Sequence, residues 1–183
     1  MLTLGKRLSL AVVFLGYLAL APQAGSESSE MMPKVEGESL SGQKVRLPEA
    51  ASGKVAVLVF GFTKTSKVAT SAWAKKLSAD FSNRAEFALY QLPVLEDVPR
   101  LVRGMVISSM RKGVPEKARD HFVPILSGEA ELKKLVSYKE SDDAYLVVLD
   151  RTGTIVQQTH GQLSAASYSP LRGEVDSLLG DSK

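Results

Sequence analysis

The sequence has no cysteine, two histidines and one tryptophan among 183 residues. The missing thiol excludes disulfides, thiol nucleophiles, thiolate-held metals, Fe–S clusters and a lipoprotein anchor, because each needs a cysteine. Dithiol redox chemistry is closed to this chain acting alone. His121 and His160 are too few for a multi-histidine metal cage, and no cofactor is expected. Charge imbalance is also small: 23 Lys+Arg stand against 20 Asp+Glu, a formal +3. With 44% hydrophobic residues, the composition is that of one ordinary globular domain.

Long uncharged apolar runs are scarce too, and the longest has a meaning of its own. Leu8 to Leu20, LSLAVVFLGYLAL, follows Lys6 and Arg7 and precedes the small, polar stretch APQAGS. That is the order of a secretory signal peptide. As a helix the run spans roughly 20 Å, short of the about 30 Å hydrocarbon core of a bilayer. Residues 1–26 are therefore read as an export signal, cut after Ser26. The product is expected to be periplasmic or otherwise extracytoplasmic, and anchored if the signal stays uncleaved. Removing residues 1–26 takes two cations and no acid, so +3 becomes +1. Nucleic-acid binding then loses its compositional support.

Residues 27–38 are polar and read as a flexible leader, with one domain over residues 39–183. A hairpin is expected from Glu38 to Leu47 around Ser41-Gly42. VAVLVFGF, from Val55 to Phe62, is a continuous β-branched run, the pattern of a strand buried on both faces. The spacing of Ala69, Ala72, Trp73, Leu77 and Phe81 predicts a helix over 70–81, and EFALYQL a second strand. Pro99 to Lys112 reads as a helix, with Glu96 and Asp97 before it and Arg111 and Lys112 in its last turn, as the helix dipole favours. A short helical stretch, a brief strand at 122–126 and a helix over 129–136 follow. YLVVL, the turn Asp150-Arg151-Thr152-Gly153 and residues 154–158 form a hairpin. A final helix over 165–179 is expected to be interrupted by Pro170 and Gly173. Trp73, Phe81, Phe87 and Tyr90 are assigned to the core. The fold class is α/β: a central mixed sheet flanked by helices, with an N-terminal hairpin and an insert before the C-terminal hairpin.

That element order is the thioredoxin arrangement. The stretch Leu40 to Thr63 resembles the corresponding part of peroxiredoxins and of Sco-type copper-delivery proteins. In the Sco-type pattern FGFT is followed by one residue and then C-x-x-x-C. The matching positions here are Thr65 and Ala69, neither of which is a soft ligand for Cu(I). A broader resemblance, from about Val57 to Glu174, is to the mitochondrial ATP synthase assembly-factor family. It is carried by FALYQLPVLEDVP, by the basic helix with Arg103, Ser108, Arg111 and Lys112, and by the hairpin positions Leu149, Asp150, Gly153 and Ile155. Val156 departs from the family's usual aromatic, and the N-terminus is of bacterial export type. The resemblance implies a thioredoxin-like fold and an assembly or chaperone role for a membrane complex.

Three sets of residues are candidates for function. Thr63, Thr65 and Ser66 sit where a strand enters a helix; they either cap that helix or hold an anion on its N-terminus. Arg100, Arg103, Arg111, Lys112, Lys117 and Arg119 form a basic cluster opposed between residues 100 and 119 by Glu116 alone. The cluster is either a surface for a membrane-protein client, an acidic protein or a lipid, or a solvated face above a core-facing stripe of Leu101, Val102, Met105, Val106 and Met110. Met31-Met32 could offer thioethers to copper but reads first as part of the leader. His160 reads as a structural or surface residue, and His121 beside Asp120 as local capping. No catalytic residues, and no enzyme activity, are expected. The alternative reading is a cysteine-free relative of redox or copper-handling proteins that keeps ligand binding at the start of the first helix.

Overall fold

A computed structural model of the chain describes residues 30–180; the expected export signal lies outside them. The centre is β3 (Val55–Gly61), buried at every residue. It pairs in parallel with β4 (Phe87–Pro93) and antiparallel with β5 (Ala144–Leu149), and β5 pairs antiparallel with β6 (Ile155–Gly161). The sheet order is β4-β3-β5-β6, a mixed sheet as expected.

Alternate residues of β3 feed two separate cores. Val55, Val57 and Val59 pack with Trp73, Leu77 and Phe81 of α1 (Lys67–Phe81), and with Tyr168, Leu171, Val175 and Leu179 of α4 (Ala165–Gly180). Ala56, Leu58 and Phe60 face the other way. They are covered by the hairpin of β1 (Val35–Glu38) and β2 (Lys44–Leu47), by Val123 and Ile125, and by Leu132 of α3 (Glu129–Leu135). The four aromatics assigned to the core are all buried. Pro170 does not break α4, because the stripe Tyr168, Leu171, Val175, Leu179 holds the helix to the sheet on both sides of it.

Several expectations need correction. The loose leader does not hold for residues 30–38. Met32 is 3% exposed, and Val35 and Gly37 pair with Leu47 and Val45. The polar residues Glu36 and Glu38 hide a strand whose other side is apolar. Gly37 is needed there: a Cβ would lie 2.6 Å from Val123 Cγ1. The hairpin thus spans 35–47 rather than starting at Glu38. Residues 122–126 extend the β4 edge through two bridges, Gln91 with Phe122 and Val94 with Ile125, rather than as a continuous strand.

The largest correction concerns α2 (Arg100–Gly113). None of its residues is buried, so its apolar stripe does not face the core. Leu101 is 99% and Met105 74% exposed. Val106, Ile107 and Met110 are half-buried on the inner side. The apolar side read from the sequence is two sides.

Trp73 ties one core together. Its Nε1 donates to Gly161 O at the end of β6 (3.0 Å), and its ring lies 6.0 Å from that of Tyr168. Trp73→Ala should lower the unfolding free energy by about 3–5 kcal/mol in urea titrations, with the urea dependence unchanged. Tyr168 donates to Asp80 Oδ2 (2.7 Å), and Lys76 pairs with the same carboxylate at 2.9 Å. The Tyr168 hydrogen bond first, and Lys76 second, hold Asp80 below its ordinary 3.8. The native state therefore binds this proton less readily than the unfolded chain. The stabilisation is full above pH 3.8 and disappears as pH falls through the lowered native value. Tyr168→Phe should be less stable than the parent at pH 6, with the gap narrowing on acidification.

Candidate functional site

The position equivalent to C-x-x-x-C lies where β3 passes into α1. Gly61 ends the strand beneath the helix; a Cβ there would be 2.9 Å from Ser66 Oγ. Thr63 then caps the first turn, accepting from Ser66 N at 3.1 Å, while Ser66 Oγ donates back to Thr63 O at 2.9 Å. The capping hydroxyl is thus supplied one turn ahead of α1, and Ser66 itself is buried.

Thr65 and Ala69 differ in environment. Ala69 is buried against the sheet core and Thr65 is exposed. Thr65 is nonetheless engaged. Its Oγ1 lies 2.9 Å from Thr63 Oγ1, and its hydroxyl also bonds to Asp142. Thr63 gives its own proton to Ser141 O at 2.6 Å. Thr65 has one proton for two acceptors, Thr63 Oγ1 and the Asp142 carboxylate, and shares it between them. The hydrogen bond from Thr65 first, then that from Ser141, holds Asp142 below its ordinary 3.8.

The segment ahead of β5 is therefore stitched across the start of α1. Its other ties run to the C-terminal hairpin: Gln162 Nε2 donates to Asp142 O at 2.8 Å, and His160 Nδ1 lies 2.8 Å from Asp143 Oδ2. The His160 ring stacks on Tyr145 at 5.4 Å. Tyr145 Oη takes protons from Lys139 N and Glu140 N and gives its own to Glu140 O. His160 is thus held in a polar cluster. The sequence reading missed Ser141, Asp142 and Asp143; the visible signal was a Ser-Asp-Asp run abutting a fully apolar strand.

The basic cluster is divided by the fold. Arg103 folds back on the loop before α2, donating from Nε to Val98 O (2.7 Å) and from Nη2 to Glu96 O (2.6 Å). The Glu96 carboxylate accepts from Glu129 N at 2.6 Å, so the entries to α2 and α3 are joined. Arg111 Nε donates to Leu40 O (2.8 Å) and Arg119 Nε to Val114 O (3.1 Å). Arg111, Lys117 and Arg119 line an open recess of about 840 Å³ with Leu40, Ser41, Glu116 and Asp120. Arg100 and Lys112 stand exposed on α2. So the six cations form a clamp, a recess and an outer helix face.

The remaining candidates separate similarly. Met31 is 57% exposed, with its sulfur 3.4 Å from Thr154 Oγ1, whereas Met32 packs in the core. The two thioethers do not face one site. The His121 ring meets Tyr90 edge-on at 4.7 Å; burial first, then Lys54, lowers its pKa from the ordinary value.

No family model matches the sequence, and no curated protein matches it. Solved structures do match. BsSco, a member of the Sco family of cytochrome c oxidase assembly proteins, aligns with TM-score 0.57 and 13% identity, covering 84% of this chain and 96% of its own. A thiol-disulfide oxidoreductase from Bacteroides fragilis gives 0.54 and 15%, covering 80% and 99%. The exposed lipoprotein thioredoxin of Streptococcus pneumoniae gives 0.55 and 13%, covering 78% and 99%. The fold is thioredoxin-like. The cysteine-free chain has no thiol chemistry at this site.

Thr65→Val removes the proton that Asp142 accepts. The Asp142 carboxyl should then titrate closer to its ordinary value in carbon-detected NMR, and amide exchange across 139–143 should quicken. Unchanged titration would mean that Thr65 does not hold the segment.

Proposed function

We propose that this chain is an exported, non-catalytic thioredoxin-fold protein that binds a client subunit of a membrane complex, in the manner of an assembly factor or chaperone. The carrying observation is the contrast between two places. At the start of α1 the hydroxyls are spent on holding the segment before β5. Outside it, Arg111, Lys117 and Arg119 gather in an open recess, two of them oriented by backbone carbonyls through Nε. Held guanidinium groups are suited to carboxylates, because their donors are fixed before the ligand arrives. The reading is an acidic segment of the client laid in this recess.

The sequence resemblance to ATP synthase assembly factors supports the role, and ATP synthase is the client complex it favours. The likeness to BsSco, described as belonging to a family of oxidase assembly proteins, is compatible with it. Export is supported by the apolar run after Lys6 and Arg7. The second reading, ligand binding at Thr65, draws on the same thiol-disulfide neighbours but has to break the hydrogen bonds that occupy the site.

Deleting the gene and resolving membrane complexes on native gels should deplete one complex, with ATP synthase expected. Complementation by Lys117→Glu, which sets a third carboxylate in the recess beside Glu116 and Asp120, should fail. Thr65→Val should complement. The opposite pattern would support the ligand at α1, and unchanged complexes in the deletion would refute the assembly role.

A further inference from the structure

We infer that the outer face of α2 is a docking surface for an anionic lipid bilayer. Leu101, Val102 and Met105 lie within one and a half turns on the side away from the body, all exposed. Lys112 continues the same face and Arg100 flanks its start. The whole of α2 carries four cations and no carboxylate. An apolar ridge edged by cations is the composition of a helix lying in the headgroup region.

Charge complementarity selects the occupant. A second copy docking by the same face would bring Arg100 and Lys112 against their own equivalents. A bilayer requires no shape complement to a convex ridge and supplies the opposite charge. The inner side of α2 is fixed independently: Arg103 is clamped to Glu96 and Val98, and Arg111 to Leu40. The face can therefore load against a surface without the helix detaching.

This extends the client reading by adding a second ligand at a separate place, with the recess left for protein. The two readings fail separately, since the recess variant tests one and the α2 face the other.

The absence of cysteine makes the test direct, because one introduced thiol labels one position. Leu101→Cys and Met105→Cys, each in the full chain and carrying an environment-sensitive nitrobenzoxadiazole dye, are mixed with phosphatidylcholine vesicles in which a third of the lipid is phosphatidylglycerol. Both probes should brighten and shift to the blue. A dye at Ser177→Cys on α4 should not, and high salt should reverse the change. In unlabelled protein, Leu101→Gln with Met105→Gln should weaken vesicle affinity about tenfold without altering the melting temperature. Vesicle attachment through Leu8–Leu20 alone leaves the probes at 101 and 105 silent, and overturns the inference. So does an equal response to pure phosphatidylcholine, or a lipid-independent shift that grows with protein concentration and marks self-association.

Discussion

A strand buried on both faces and paired on both edges governs the rest of this molecule. Every residue of β3 is removed from water, so both sides of the sheet have to be covered. One side takes α1 and α4, whose stripes meet the valines. The other receives the N-terminal hairpin, residues 123–125 and α3. α2 contributes no residue to either core. That helix follows β4 directly, yet it ends beside the fold, held by arginine-to-carbonyl bonds rather than by a buried stripe. Leu101 and Met105 are left exposed on its outer side.

Legibility in the sequence followed the same division. β3, β5 and α1 could be read because their patterns admit one environment: an unbroken β-branched run has to be interior, and Trp73, Leu77 and Phe81 define one stripe. α2 could be read as a helix but not placed. A period of 3.6 reports which residues share a face, and says nothing about what that face meets. Residues 30–38 were obscured for another reason. Glu36 and Glu38 dominate the local composition, while the apolar partner of Val35 is Leu47 across the hairpin. Thr65 and Ala69 were located from motif spacing, but the bond from Thr65 to Asp142 joins residues far apart in the chain. Long-range contacts of that kind leave no periodicity behind.

Absence of a thiol bears on more than reactivity at the start of α1. A redox site needs its thiolate open to a partner. Hydroxyls carry no such requirement, and here they make ordinary hydrogen bonds that keep the segment before β5 in place. Asp142, drawn into that network, stays ionised more readily than a free carboxyl and so strengthens the tie. The thioredoxin-like fold needs no cysteine in either core, and the positions equivalent to the motif cysteines are part of the scaffold.

What lies outside that scaffold comes from one insertion. Residues 94–121 leave the end of β4 and rejoin its edge at Phe122. Within them, cations outnumber acids, and the fold sorts them by geometry. Side chains on the inner side of α2 reach backbone carbonyls and become structural. Those beyond its end, Lys117 and Arg119, line the recess together with Arg111. Those on the outside share solvent with Leu101 and Met105. A single basic stretch thus yields an anchoring contact, a concave site lined by three cations and two carboxylates, and a convex amphipathic ridge. A concave site can discriminate among partners by shape, whereas a ridge cannot. Under the proposed client and lipid readings, recognition falls to the recess and orientation at a surface to α2.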